Sequence, residues 1–103
     1  MKSETEIQKE ILHYLADKKI FAFRLSNTPS NKYKSRSDKF TPSGLPDILC
    51  IYKSMLIGFE VKSENGKIRI EQRECAQIFE KNGAIYIFVR SLNEVIEILN
   101  KYI

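Results

Sequence analysis

The sequence predicts an α/β domain: one mixed β-sheet flanked by helices, in the order α-β-β-β-α-β-α. Three observations carry that expectation. Two apolar runs, Asp47–Tyr52 and Leu56–Lys62, stand either side of a tight turn near Lys53–Ser54 and read as paired strands. A further strand, Ala84–Val89, follows a stretch with helical periodicity. Capping boxes, Ser3 with Glu6 and Ser91 with Glu94, open helices near the two ends of the chain.

The first helix runs from the Ser3 cap to about Lys18, with Ile7, Ile11, Tyr14 and Leu15 on one stripe. His13, the single histidine, falls on the opposite side and is expected to face solvent. Phe21–Leu25 is short, alternating and rich in aromatics, a first strand. The twenty-one residues Ser26–Pro46 hold Ser, Asn, Lys and Pro with little apolar periodicity. Loops that long are uncommon in compact domains without a use, so a ligand-facing segment is expected. The next two strands are apolar at nearly every position, which suggests cover on both faces. Glu64-Asn65-Gly66-Lys67 is a turn, and a helix from about Glu71 to Asn82 stops at Gly83, where a left-handed residue is wanted. The last helix buries Val95, Ile96, Leu99 and Tyr102.

At 103 residues, 43% hydrophobic and 29% charged, the chain fits one compact domain, residues 1–103, and disordered or fibrous classes are excluded. No apolar run reaches bilayer length, and the polar Met1–Glu10 start does not read as a signal peptide. Cys50 and Cys75 lie in apolar stretches without zinc-site spacing, so both are expected as buried free thiols. The expected compartment is reducing and intracellular, the cytoplasm of a cell or of a phage or virus host. A net charge of +4 leans toward a polyanionic partner.

The chemistry concentrates at one end of the predicted hairpin. Glu60 and Lys62 are two apart in a strand and leave the same face, while Phe59 and Val61 point to the core. Asp47 opens the adjacent strand after Gly44-Leu45-Pro46, and pairing across the turn brings it to the same end. Two carboxylates and an amine so close repel and desolvate one another unless something binds there. A divalent cation held by hard oxygen ligands meets that need. Such an ion coordinates phosphate oxygens and acidifies water, and a lysine beside it can orient or deprotonate that water. An exposed charge pair with a strand-start aspartate would look the same at this level.

Pro46-Asp47, twelve residues, then Glu60-Val61-Lys62 resembles the PD-(D/E)xK nuclease signature. The chain is most similar to one branch, the virus-type replication-repair nuclease (VRR-Nuc) domain. Glu4-Thr5-Glu6-Ile7-Gln8 matches the first-helix E-x-x-I-Q, Arg24 the early-strand arginine, and Gly44 to Asp47 the G-x-P-D run. Gly66 and Glu71-Gln72 match the glycine turn and the E-Q that opens the next helix. A small polar residue often precedes that pair, whereas Arg69-Ile70 stands here, which removes a side-chain cap.

The resemblance implies a restriction-endonuclease-like core and a Mg2+- or Mn2+-dependent endonuclease acting on DNA, branched, flapped or at junctions. It implies Glu4, Asp47 and Glu60 as metal ligands with the Val61 carbonyl, Lys62 acting on the attacking water, and Gln72 steadying Lys62 or that water. Glu4 lies on the stripe of Ile7, Ile11 and Leu15, and Gln72 in line with Cys75, Ala76 and Phe79. Polar groups on buried faces need partners. The resemblance further implies a homodimer. Lys32, Lys34, Arg36 and Lys39, with Tyr33 and Phe40 interleaved, form a basic segment that would track a phosphate backbone, joined by Arg24, Lys67 and Arg69. A non-catalytic DNA-binding module on the same fold, or a nuclease directed at RNA, stays open at this level.

Overall fold

The computed structural model describes residues 1–25 and 42–101. Its elements are α1 (Glu4–Asp17), β1 (Phe21–Arg24), β2 (Ile48–Tyr52), β3 (Met55–Val61), α2 (Ile70–Lys81), β4 (Ile85–Val89) and α3 (Leu92–Lys101). The strands form one sheet in the order β1-β2-β3-β4. β1, β2 and β3 run antiparallel in turn, and β4 is parallel to β3. This is the mixed sheet with flanking helices that the sequence predicts. The basic segment with Lys32, Tyr33, Lys34, Arg36, Lys39 and Phe40 lies outside the described residues, as does Tyr102.

Local signals explain the elements. At the start of α1 the Glu6 amide donates to Ser3 Oγ at 3.2 Å, and the Ser3 amide donates back to Glu6 Oε1 at 3.3 Å. The β2–β3 turn places Lys53 and Ser54 both at positive φ, 50° and 67°, as a two-residue hairpin requires. α2 has no side-chain cap from Arg69. Instead Gln72 Oε1 accepts from the Arg69 amide at 3.0 Å. Gly83, at φ 80°, ends that helix, and the Glu94 amide donates to Ser91 Oγ at 3.2 Å to open α3.

Alternation along the sheet separates two faces. One carries Ile48, Cys50, Ile57, Phe59, Val61 and Val89, packed with Ile7, Ile11 and Leu15 of α1 and Val95 and Leu99 of α3. That cluster is the core. Both cysteines are buried free thiols, and His13 is exposed. α2 covers the other face over β4, where Phe79 meets the Tyr86 ring edge-on at 5.3 Å.

Cover on both faces along β2 and β3 is not found at the hairpin end. Phe21, Ile51 and Leu56 are in register across three strands and are 66%, 52% and 40% exposed. α2 sits over β4, so among the described residues no element lies above this row. Apolar sequence marks strand propensity as much as burial, and here it overstated burial. No described helix is long and apolar enough to cross a membrane.

Candidate active site

The far end of the sheet, opposite the hairpin turn, collects the polar residues. Glu60 and Lys62 follow Gly58 on the face that α2 covers, and both are buried, at 4% and 6% exposure. Lys62 Nζ lies 3.5 Å from Glu60 Oε2. Burial excludes the ordinary surface charge pair, because a carboxylate and an ammonium are rarely taken out of water without purpose. The Lys62 amide donates to Val89 O at 2.9 Å, extending the β3–β4 ladder and fixing where the side chain begins.

Asp47 is placed from both sides. Its carbonyl accepts from the Leu25 amide at 2.8 Å, and its Oδ2 accepts from the Val61 amide at 2.8 Å. The preceding loop is seated by close approach. Gly44, at φ 79°, has its Cα so near α2 that a Cβ would lie 2.1 Å from Glu71 O. Tyr86 Oη donates to Gly44 O at 2.8 Å. Pro46 packs on Gly58, where a Cβ would lie 2.6 Å from Pro46 Cγ.

Two helices complete the cleft. Glu4, at the start of α1, accepts from the Ser63 amide through Oε2 at 3.0 Å, joining positions 59 residues apart. Gln72 Nε2 donates to Glu60 Oε2 at 2.8 Å. Gln72 thus reaches Glu60, beside the Lys62 or attacking water it is expected to steady, while its amide oxygen is turned back to the α2 cap. The cleft is about 460 Å³ and is lined by Glu4, Asp47, Glu60, Lys62 and Gln72 together with Arg69 and the Pro42–Leu45 loop. A larger groove of about 860 Å³ between α1 and the start of α3 contains none of the carboxylate–lysine group, so size does not mark the site.

The electrostatics match a charge-dense, water-poor cleft. Burial pushes the Glu60 carboxyl up to about 7, helped by repulsion from Asp47 and opposed by Lys62. Burial also raises Asp47, against the hydrogen bond from Val61. Burial and the charge on Glu60 raise the Tyr86 hydroxyl. Among the described residues, no three Asp, Glu, His or Cys side chains converge closely enough to hold an ion as they stand. Glu4, Asp47 and Glu60 each commit one oxygen to a hydrogen bond while sharing the cleft. All three offer hard oxygen donors, and buried Glu60 and half-buried Asp47 carry ionisation costs that a dication would offset, so the donor set suits a divalent cation.

Arg24, Lys67 and Arg69 are exposed around this end, Arg24 in register with Ile48 and Arg69 on the cleft wall. The Val61 side chain is in the core, and its amide holds Asp47. Sequence reasoning missed Tyr86 and Arg90. Each acts on backbone carbonyls, and such contacts leave no spacing signal.

No family model matches the chain, and no curated protein matches it. Solved structures do. One described as "VRR_NUC domain" superposes with a TM-score of 0.71 at 27% identity, covering 97% of each chain. In fold, the chain is similar to a VRR-Nuc domain. A second structure, described as "VRR_NUC domain protein", gives a TM-score of 0.72 at 19% identity and covers 98% of this chain and 88% of its own. That match speaks for the fold alone. In this chain the sheet brings Asp47, Glu60 and Lys62 to one cleft lined also by Glu4 of α1 and Gln72 of α2.

Proposed function

We propose that this chain is a divalent-metal-dependent endonuclease that hydrolyses DNA phosphodiester bonds and selects branched, flapped or junction DNA in replication, repair or recombination. The observation that carries the reading is the buried pair Glu60–Lys62 beside Asp47, a charged group kept from water at a strand end. Nothing in the packing requires those charges, and nuclease chemistry uses all of them.

Glu4, Asp47 and Glu60, with the Val61 carbonyl, are the oxygens that would hold Mg2+ or Mn2+. When bound, the cation supplies positive charge for the phosphate and lowers the pKa of nearby water. Lys62 is directed into the cleft by its buried stem, so its ammonium can hold and orient a water against the phosphorus. Gln72 donates to the same Glu60 oxygen that faces Lys62, which holds that carboxylate in one orientation between the two groups. Arg24, Lys67 and Arg69 border the cleft as phosphate contacts, with Lys32, Lys34, Arg36 and Lys39 as their continuation in sequence. The exposed row Phe21–Ile51–Leu56 supports a homodimer as the working form.

The test is cleavage of labelled branched DNA, linear duplex and structured RNA in Mg2+, Mn2+ or chelator. Branched DNA should be cut fastest, and chelator should stop all cutting. Cutting that survives chelation, or no cutting of any substrate, overturns the proposal. Preference for RNA would reassign the substrate.

A further inference from the structure

Arg90 has no part in the chemistry described so far, yet it is rooted firmly. It follows β4 directly, and its amide donates to Glu94 Oε2 at 3.0 Å within the cap of α3. From that root the guanidinium reaches the loop that leaves β3. Nη1 donates to Ser63 O and, at 3.3 Å, to Glu64 O, while Nη2 donates to Gly66 O at 3.1 Å.

Three carbonyls turned toward one point repel one another, and they stay together only around a donor with several N–H groups. The planar fork of arginine meets that need, and a lysine ammonium does so poorly. The loop so gathered begins one residue after Lys62. Its Ser63 amide is the donor to Glu4 Oε2, and Gly66 lies against the same oxygen, where a Cβ would be 3.0 Å away. The Gly66 amide donates to Ser63 O at 3.0 Å, so the same carbonyl closes the turn and receives Arg90.

We infer that Arg90 is a positioning residue: by gathering the Ser63, Glu64 and Gly66 carbonyls it fixes the Ser63 amide on Glu4 and sets that carboxylate in the cleft. The consequence for cleavage rests on the nuclease reading above. The consequence for loop geometry does not.

Amide hydrogen exchange of the metal-free protein tests the geometry. In Arg90→Ala the Ser63 and Gly66 amides should exchange about tenfold faster or more, as expected when charge-assisted hydrogen bonds at a surface are lost. The Val61 and Lys62 amides, held by Asp47 and Val89, should keep their protection. Arg90→Lys, which keeps the charge and lacks the fork, should show most of the same loss at Ser63. It also decides the matter if Arg90→Ala does not fold. In cleavage, Arg90→Ala should need roughly fivefold to tenfold more Mg2+ for half-maximal rate and stay within about twofold of wild type at saturation, because one ligand is misplaced but the lysine is intact. Unchanged exchange at Ser63 in the folded variant overturns the inference. So does equal loss at Val61 and Lys62, which would make Arg90 a general support of the sheet. If wild type cuts nothing, the nuclease reading fails while exchange at Ser63 still decides the role of Arg90.

Discussion

Replacing Glu60 by Gln should flatten the pH dependence of metal-free stability, and the size of the effect follows from the burial of this carboxylate. Glu60 is 4% exposed, and its carboxyl is raised from an ordinary 4.5 to about 7. The folded state therefore holds this proton more tightly than the unfolded chain does. Its contribution is fully present below pH 4.5 and is lost as pH rises through about 7. Each pH unit in that window is worth about 1.4 kcal/mol, so the loss totals about 3 kcal/mol, or a urea midpoint shift of roughly 2 M. Asp47 is raised too and adds in the same direction. A glutamine at position 60 has no proton to lose, and it can still accept the Gln72 hydrogen bond. Urea unfolding with chelator at pH 5, 6, 7 and 8 would show wild type losing stability upward relative to Glu60→Gln. Because slopes are compared, a constant cost of the substitution drops out. Parallel pH profiles for the two proteins would refute the assignment of Glu60 as a strained carboxylate.

Glu4→Gln should weaken Mg2+ binding and slow cleavage while leaving metal-free stability equal or higher, because one of three neighbouring carboxylates is neutralised. A loss of about 1 kcal/mol with full activity would instead mark Glu4 as a helix-dipole residue only. Gly44→Ala should destabilise the fold by more than about 2 kcal/mol, since its Cβ would meet Glu71 O at 2.1 Å in a backbone conformation that favours glycine. An unaffected melting temperature would show that the loop is not seated on α2. Neutralising Arg24, Lys67 and Arg69 together should lower DNA affinity and reduce the steepness of its salt dependence by up to about 3 in the log–log slope. An unchanged slope would remove this rim from the DNA path.

Much of this molecule was legible because its signals are local. Capping boxes, the Gly83 stop and the period-two runs each name an element from a few adjacent residues, and the order α-β-β-β-α-β-α followed from them. The site was half legible for a related reason. Alternation put Glu60 and Lys62 on one face, and the hairpin put Asp47 beside them, but neither fixes depth of burial. That depends on α2, whose position over β4 is set by long-range packing of Phe79 against Tyr86 and Gly58. The same cause left Ile51 and Leu56 exposed where apolar sequence suggested cover. Gln72 was placed in the site by resemblance, and its contact with Glu60 was not legible, because the cap geometry of α2 decides which way its amide points. Tyr86 and Arg90 were invisible because their partners are main-chain carbonyls of distant loops, which no side-chain pattern encodes.

Single-turnover cleavage of branched DNA by wild type and Lys62→Ala, with Mg2+ binding to each measured calorimetrically, tests the central claim most directly. The account predicts that Lys62→Ala binds Mg2+ with nearly wild-type affinity and loses at least about a hundredfold in rate, as when a positioned proton-transfer group is removed. Cutting at the wild-type rate would contradict it and detach the buried Glu60–Lys62 pair from the chemistry.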